Sequence, residues 1–142
     1  MPDLLTHDDW PGGTRARVLV EATEWTVRET IEVILQGAGY RTLSCAGPEG
    51  SGQRCGLASD QGCPAAMTAD LVVHALRVCD ARNLEALRAL RRRRPEMPVV
   101  VEASAAVAVQ RADDFAGCSV IEAPLTAEAL LEAVEDALSD AG

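Results

Sequence analysis

The chain has 142 residues, 48% of them hydrophobic and 25% charged, and carries a formal net charge of −9. That suits one domain with a buried core, and no apolar run approaches the roughly 18 residues of a membrane-spanning helix. All 13 basic residues are arginine, so lysine-dependent chemistry is excluded, and the acidic balance argues against direct nucleic-acid binding, which needs a net basic face.

The amino terminus, Met1-Pro-Asp-Leu-Leu-Thr-His-Asp-Asp-Trp10, is acidic and has no basic-then-apolar leader, so a cytoplasmic protein is expected. Residues 1–14 read as a polar tail ending in Trp10-Pro11-Gly12-Gly13, mobile unless Trp10 docks, with the domain over 15–142. Arg17-Val-Leu-Val-Glu21 is a first strand. Thr26-Val-Arg-Glu29 has the spacing of a capping box, and Val27, Ile31, Ile34, Leu35 and Ala38 recur at helical period until Gly39 ends the helix. Tyr40 to Cys45 is a second strand. Residues 46–69 form an extended loop rich in Gly and Pro, with room for a short helix between about 53 and 60.

Asp70-Leu-Val-Val-His-Ala-Leu76 is the apolar, β-branched run expected of a central parallel strand. A helix follows from about Ala81 to Arg94, its Arg91–Arg94 run placed where cations complement the helix dipole. Pro98 to Glu102 is a fourth strand, Ala105 to Phe115 a helix, and Ser119 to Glu122 a fifth strand. Thr126 caps a last helix with apolar positions Leu130, Leu131, Val134 and Leu138. Five alternations of strand and helix predict an α/β, doubly wound parallel sheet.

The cysteines are Cys45, Cys55, Cys63, Cys79 and Cys118. An odd count without a secretory leader argues against a disulfide framework. Cys45, Cys55, Cys63 and Cys79 could gather at the carboxyl edge of the sheet, where doubly wound proteins bind ligands. Their C-x9-C-x7-C-x15-C spacing matches no zinc knuckle, so scattered thiols compete with a zinc, iron–sulfur or redox site. Cys118, ahead of the fifth strand, stands apart.

Val27-Arg28-Glu29, Gly39-Tyr40, Asp70-Leu-Val, the Leu-Arg-Ala-Leu-Arg run and Ala123-Pro124-Leu125 together resemble the receiver domain of two-component response regulators over about residues 16–139. The resemblance implies the flavodoxin-like strand order 2-1-3-4-5. It also implies where the family's chemistry would sit: the magnesium-binding acidic pair at Ala22 and Thr23, the phosphoacceptor at Ala75, the hydroxyl residue at Ala103, the lysine at Ala123 and the switch aromatic at Val120. None of those groups is present here. Without carboxylates or a nucleophile, magnesium binding and phosphotransfer are excluded at this position. Trp25 could fill part of the vacated space or simply cover the sheet edge. A cis Ala123–Pro124 bond would also fit the family.

The residues just before the altered positions are Glu21, His74, Glu102 and Glu122. Strand alternation would set all four on the face opposite the old site, on neighbouring strands roughly 4.8 Å apart. One histidine with three carboxylates suits manganese, iron or zinc; the competing reading is strand-end residues that reach solvent or bond locally. A one-residue slip on any strand would break the row.

Two readings follow. The first is a stand-alone, phosphorylation-independent pseudo-receiver that is not an enzyme and binds a protein partner, or itself, through the fourth helix, fifth strand and fifth helix, including Val120, Ile121, Leu130 and Leu131. The second is a metal or thiol-redox sensor using the Glu/His row or the loop cysteines.

Overall fold

The computed structural model describes residues 10–48 and 63–141. The elements are β1 (Arg17–Glu21), α1 (Trp25–Gly37), β2 (Arg41–Cys45), α2 (Pro64–Thr68), β3 (Leu71–His74), α3 (Ala81–Arg93), β4 (Val99–Ala103), α4 (Ala105–Gln110), β5 (Ser119–Glu122) and α5 (Ala127–Ala141). All strand pairs are parallel, in the order β2-β1-β3-β4-β5. This is the flavodoxin-like receiver arrangement. The short helix expected near 53–60, and Cys55, lie outside the described residues.

Strand alternation divides the core in two. Leu19, Val72, Val99 and Val101 form one layer with α2, α3, Trp10 and Phe115. Val18, Val20, Leu71, Val73 and Val100 form the other with Ile31 and Leu35 of α1 and Leu130, Val134 and Ala137 of α5. The central strand β3 is buried along its whole length, as its unbroken apolar run requires.

Local chemistry explains three of the five helix starts. Asp80 accepts from the Arg82 amide at 2.9 Å, Ser104 from the Val107 amide at 3.2 Å and Thr126 from the Ala129 amide at 3.1 Å, each satisfying an orphan first-turn donor. The Thr26–Glu29 capping box does not form. The helix starts earlier, with Glu24 at its N-cap and no side-chain cap, which places Thr26 inside the first turn, where its carbonyl accepts from Thr30 Oγ1. α4 ends at Gln110 rather than Phe115; the chain then turns through Gly117 at φ +84°, a conformation that suits glycine, and so delivers Phe115 into the core.

Trp10 is docked. It is 6% exposed, and its indole Nε1 donates to Thr68 Oγ1 at 3.0 Å. Trp25, by contrast, is 63% exposed and fills nothing. The Ala123–Pro124 bond is cis.

Candidate functional site at the carboxyl edge of the sheet

Parallel strands deliver their carboxyl ends to one edge, and the loops after β3, β4 and β5 open there. Ala75, Ala103 and Ala123 line a hollow of about 230 Å³ with Leu76, Val78 and Phe115; Arg77, Cys79, Glu102 and Ser104 complete its wall. Where longer polar side chains would converge there are three methyl groups. Ala22 is buried, and Thr23 Oγ1 donates to the Ala46 carbonyl at 3.1 Å. Beside them the Arg28 guanidinium donates to the Ala22 carbonyl at 2.8 Å. A cation therefore already sits on the backbone of the loop where an acidic pair would be needed to hold a divalent metal. Arg28 stood in the Val27-Arg28-Glu29 stretch that carries the family resemblance, but nothing in the sequence marked it as a ligand of this loop.

One residue earlier on β1 and β3 the chemistry is reversed. Glu21 and His74 are register partners, 2% and 0% exposed, with His74 Nδ1 and Glu21 Oε1 2.9 Å apart. One proton must lie between these atoms, on the ring or on the carboxyl group. The other ring nitrogen, Nε2, is buried and has no hydrogen-bond partner among the described residues.

The predicted four-residue row does not assemble. His74 pairs in register with Val101, and Glu102 with Ile121, so Glu102 projects to the opposite face from His74. There its Oε2 accepts from the Leu125 amide at 2.9 Å. Glu122, partnered in register with Ala103, is exposed on the edge strand. The row fails on β4, where the true register is shifted by one residue. The residue level with Glu21 on its other side is Cys45, so Cys45, Glu21 and His74 share one face on three neighbouring strands, a grouping that cut across the two sequence sets.

Cys45 and Cys63 are half-buried, and Cys79 is exposed at the rim of the alanine-lined hollow. Among the described residues no three of His, Cys, Asp or Glu are grouped closely enough to hold a metal ion. Cys118 lies at the far edge of the sheet. Burial pushes its thiol above the ordinary range, against the lowering effect of the Arg91 guanidinium that donates to its Sγ. At the loop after β3, the Arg82 side chain and amide hold Asp80 down to about 2.

The expected partner face is corrected in one place. Leu130 is fully buried in the second core layer, because α5 turns that side of its apolar stripe onto the sheet. Ile121 and Leu131 are half-buried against the same layer, while Val120 is 42% and Val109 of α4 79% exposed.

No family model matches the sequence, and no curated protein matches it significantly. Solved structures do match its fold. NtrX from Brucella abortus superposes with a TM-score of 0.69 at 22% identity, over 90% of this chain and 28% of that one; the chain thus spans a little over a quarter of that protein. A CheY-like response regulator receiver domain protein from Methanospirillum hungatei gives 0.67 at 18% identity, covering 90% and 97%. A response regulator receiver protein from Sinorhizobium medicae gives 0.68 at 21%, covering 89% and 97%. At such identities the likeness establishes the receiver fold, and function has to be argued from the site.

Proposed function

We propose that the chain is a phosphorylation-independent receiver-fold module of the cytoplasm that signals by binding protein rather than by catalysis. The observation that carries this reading is the hollow lined by Ala75, Ala103 and Ala123. It offers no aspartate nucleophile, no carboxylate pair and no ammonium group, the set expected to accept and hold a phosphoryl group in a receiver, and Cys79, Ser104 and Glu102 on its wall do not make up that set. Recognition then falls to the surface. Val109 and Val120 lie on neighbouring elements at the β5 edge and are exposed, which supports a homodimer or partner face there, formed by α4, β5 and the outer side of α5. Regulation of transcription by such a module would be indirect, through the bound protein.

The test is sedimentation velocity over a concentration series, with and without acetyl phosphate and magnesium. A concentration-dependent dimer, identical in the two conditions and weakened at least fivefold by Val120→Asp, is the expected result. Tighter association on adding the phosphodonor overturns phosphorylation independence. A monomer at every concentration overturns the homodimer.

A further inference from the structure

The charge of the chain is segregated. Residues 77–94 hold seven arginines against Asp80 and Glu85, a local +5, so that at a total of −9 the remainder carries −14. Much of the basic share lies on one helix face. Beyond Ala81, the exposed positions of α3 are Arg82, Glu85, Arg88, Arg92 and Arg93, while Leu84, Leu87 and Leu90 turn inward to the first core layer. On α5 the pattern is inverted. Glu128, Glu132, Glu135, Asp136 and Asp140 are all exposed, and the helix holds no basic residue.

Within one molecule these two faces cannot meet. α3 packs in the layer of Leu19 and Val72, α5 in that of Val18 and Val73, and alternation along β1 and β3 sets the two layers on opposite sides of the sheet. The α3 guanidinium groups already show that they take carboxylates, through the surface pairs Arg82–Asp80, Arg88–Asp114 and Arg92–Glu85. Such pairs contribute little by themselves, so carboxylates from outside can replace them at small cost. The spacings also correspond. Arg88 and Arg92 lie four apart on α3, and Glu128, Glu132 and Asp136 four apart on α5, so each set forms a stripe along its helix. At 13 and 15 residues, both helices are about 20 Å long.

We infer that the arginine face of α3 is a docking surface for the acidic face of α5 on a second copy of this chain, the copies meeting head to tail through guanidinium–carboxylate pairs. Because the two faces are different surfaces on opposite sides of the sheet, the contact is heterologous, and each pair of copies keeps one free face of either kind. The contact is independent of the α4–β5 reading, whose exposed Val109 and Val120 lie on neither helix. Salt separates the two. On a chain of net charge −9, an apolar contact tightens as salt screens the overall repulsion, whereas pairing of α3 with α5 weakens.

The test is sedimentation velocity of the full chain over a concentration series at several salt concentrations. A salt-weakened association should appear, its constant falling at least fivefold between roughly 0.05 M and 0.3 M sodium chloride, and Val120→Asp should leave it unchanged. Two double variants locate it. Arg92→Glu with Arg93→Glu on α3, and Glu132→Arg with Asp136→Arg on α5, should each lose at least tenfold in that association. The α5 variant carries less net charge, so general repulsion alone would make it associate more tightly. An equimolar mixture of the two should regain association as one-to-one pairs, because the intact α5 of one meets the intact α3 of the other. A wild type that is monomeric at low salt, an association that only strengthens with salt, or a mixture no tighter than its parts overturns the inference. Polyglutamate or duplex DNA that binds a wild type which stays monomeric also overturns it and gives the α3 face to another polyanion. Should either variant fail to fold, the wild-type salt series decides alone.

Discussion

The two ends of the chemistry at the carboxyl edge sit one residue apart. Ala22 and Ala75 follow Glu21 and His74 directly, yet the first pair is apolar at the edge and the second is polar and buried. A receiver fold ordinarily expects the reverse, with apolar residues in the strand and polar ones at its tip. Alternation along a strand makes the two sets independent, because a one-residue step changes the face and hence the neighbours. The apolar side chains of Ala22 and Ala75 therefore do not account for the buried pair beside them. Each needs its own explanation, and each can be broken separately.

The largest effect is expected at the pair. Glu21→Ala leaves His74 buried with both ring nitrogens lacking a protein partner, and should cost about 3 kcal/mol in urea denaturation. The double variant Glu21→Leu, His74→Leu removes both polar groups together and should return to within about 1 kcal/mol of wild type. That contrast would show that the pair is kept for something other than stability. Equal losses in the single and double variants would instead make it a structural strut.

The apolar edge is tested by filling it. Ala22→Asp, Thr23→Asp and Ala75→Asp together build an acidic cluster beside the hollow. Their mutual repulsion should lower the melting temperature without metal. Magnesium at one hundred times its dissociation constant should then restore about 2.7 kcal/mol, while the wild-type melting temperature should ignore magnesium. A triple variant equally blind to magnesium would point to Arg28, whose guanidinium already rests on the Ala22 carbonyl, as a second and independent block.

Much of this was legible in the chain and some was not, for physical reasons. Alternating apolar strands and amphipathic helices announced the doubly wound sheet, since both periodicities are local. The position of Glu21 and His74 just inside the altered tips was readable from the same pattern. Glu102 was misplaced because register between parallel strands is set by packing across a crossover rather than by a tight turn. No feature of Val99-Val-Val-Glu102 says whether Val101 or Glu102 stands beside His74. Leu130 was assigned to the surface because an apolar stripe on α5 does not declare which of its members reach the sheet. Trp10 had no periodic context at all, so its docking could only be posed as a condition.

The amino edge of the same strands supplies the smallest and cleanest contrast. There Asp70, just before β3, accepts from the Arg17 amide at 2.8 Å and from Arg17 Nε at 3.1 Å, a half-buried ion pair. Partial burial alone would raise its pKa, but the hydrogen bonds and charge of Arg17 outweigh that, and the group is held below the usual carboxylate value. A carboxylate whose folded pKa is depressed contributes stability that is fully present above its unfolded value, near 3.9, and lost as the pH falls through the lower folded value. Asp70→Asn should therefore be less stable than wild type at pH 6, with the gap closing below about pH 4. Because the Asp70 side chain is 37% exposed, solvent screening holds the whole effect below about 1 kcal/mol. Melting temperatures of the two proteins between pH 2.5 and 6 measure it. A gap that persists at pH 2.5 would show that Asp70 acts through hydrogen-bond geometry rather than charge, and would set it beside Glu21 as a packed polar anchor instead of opposite it.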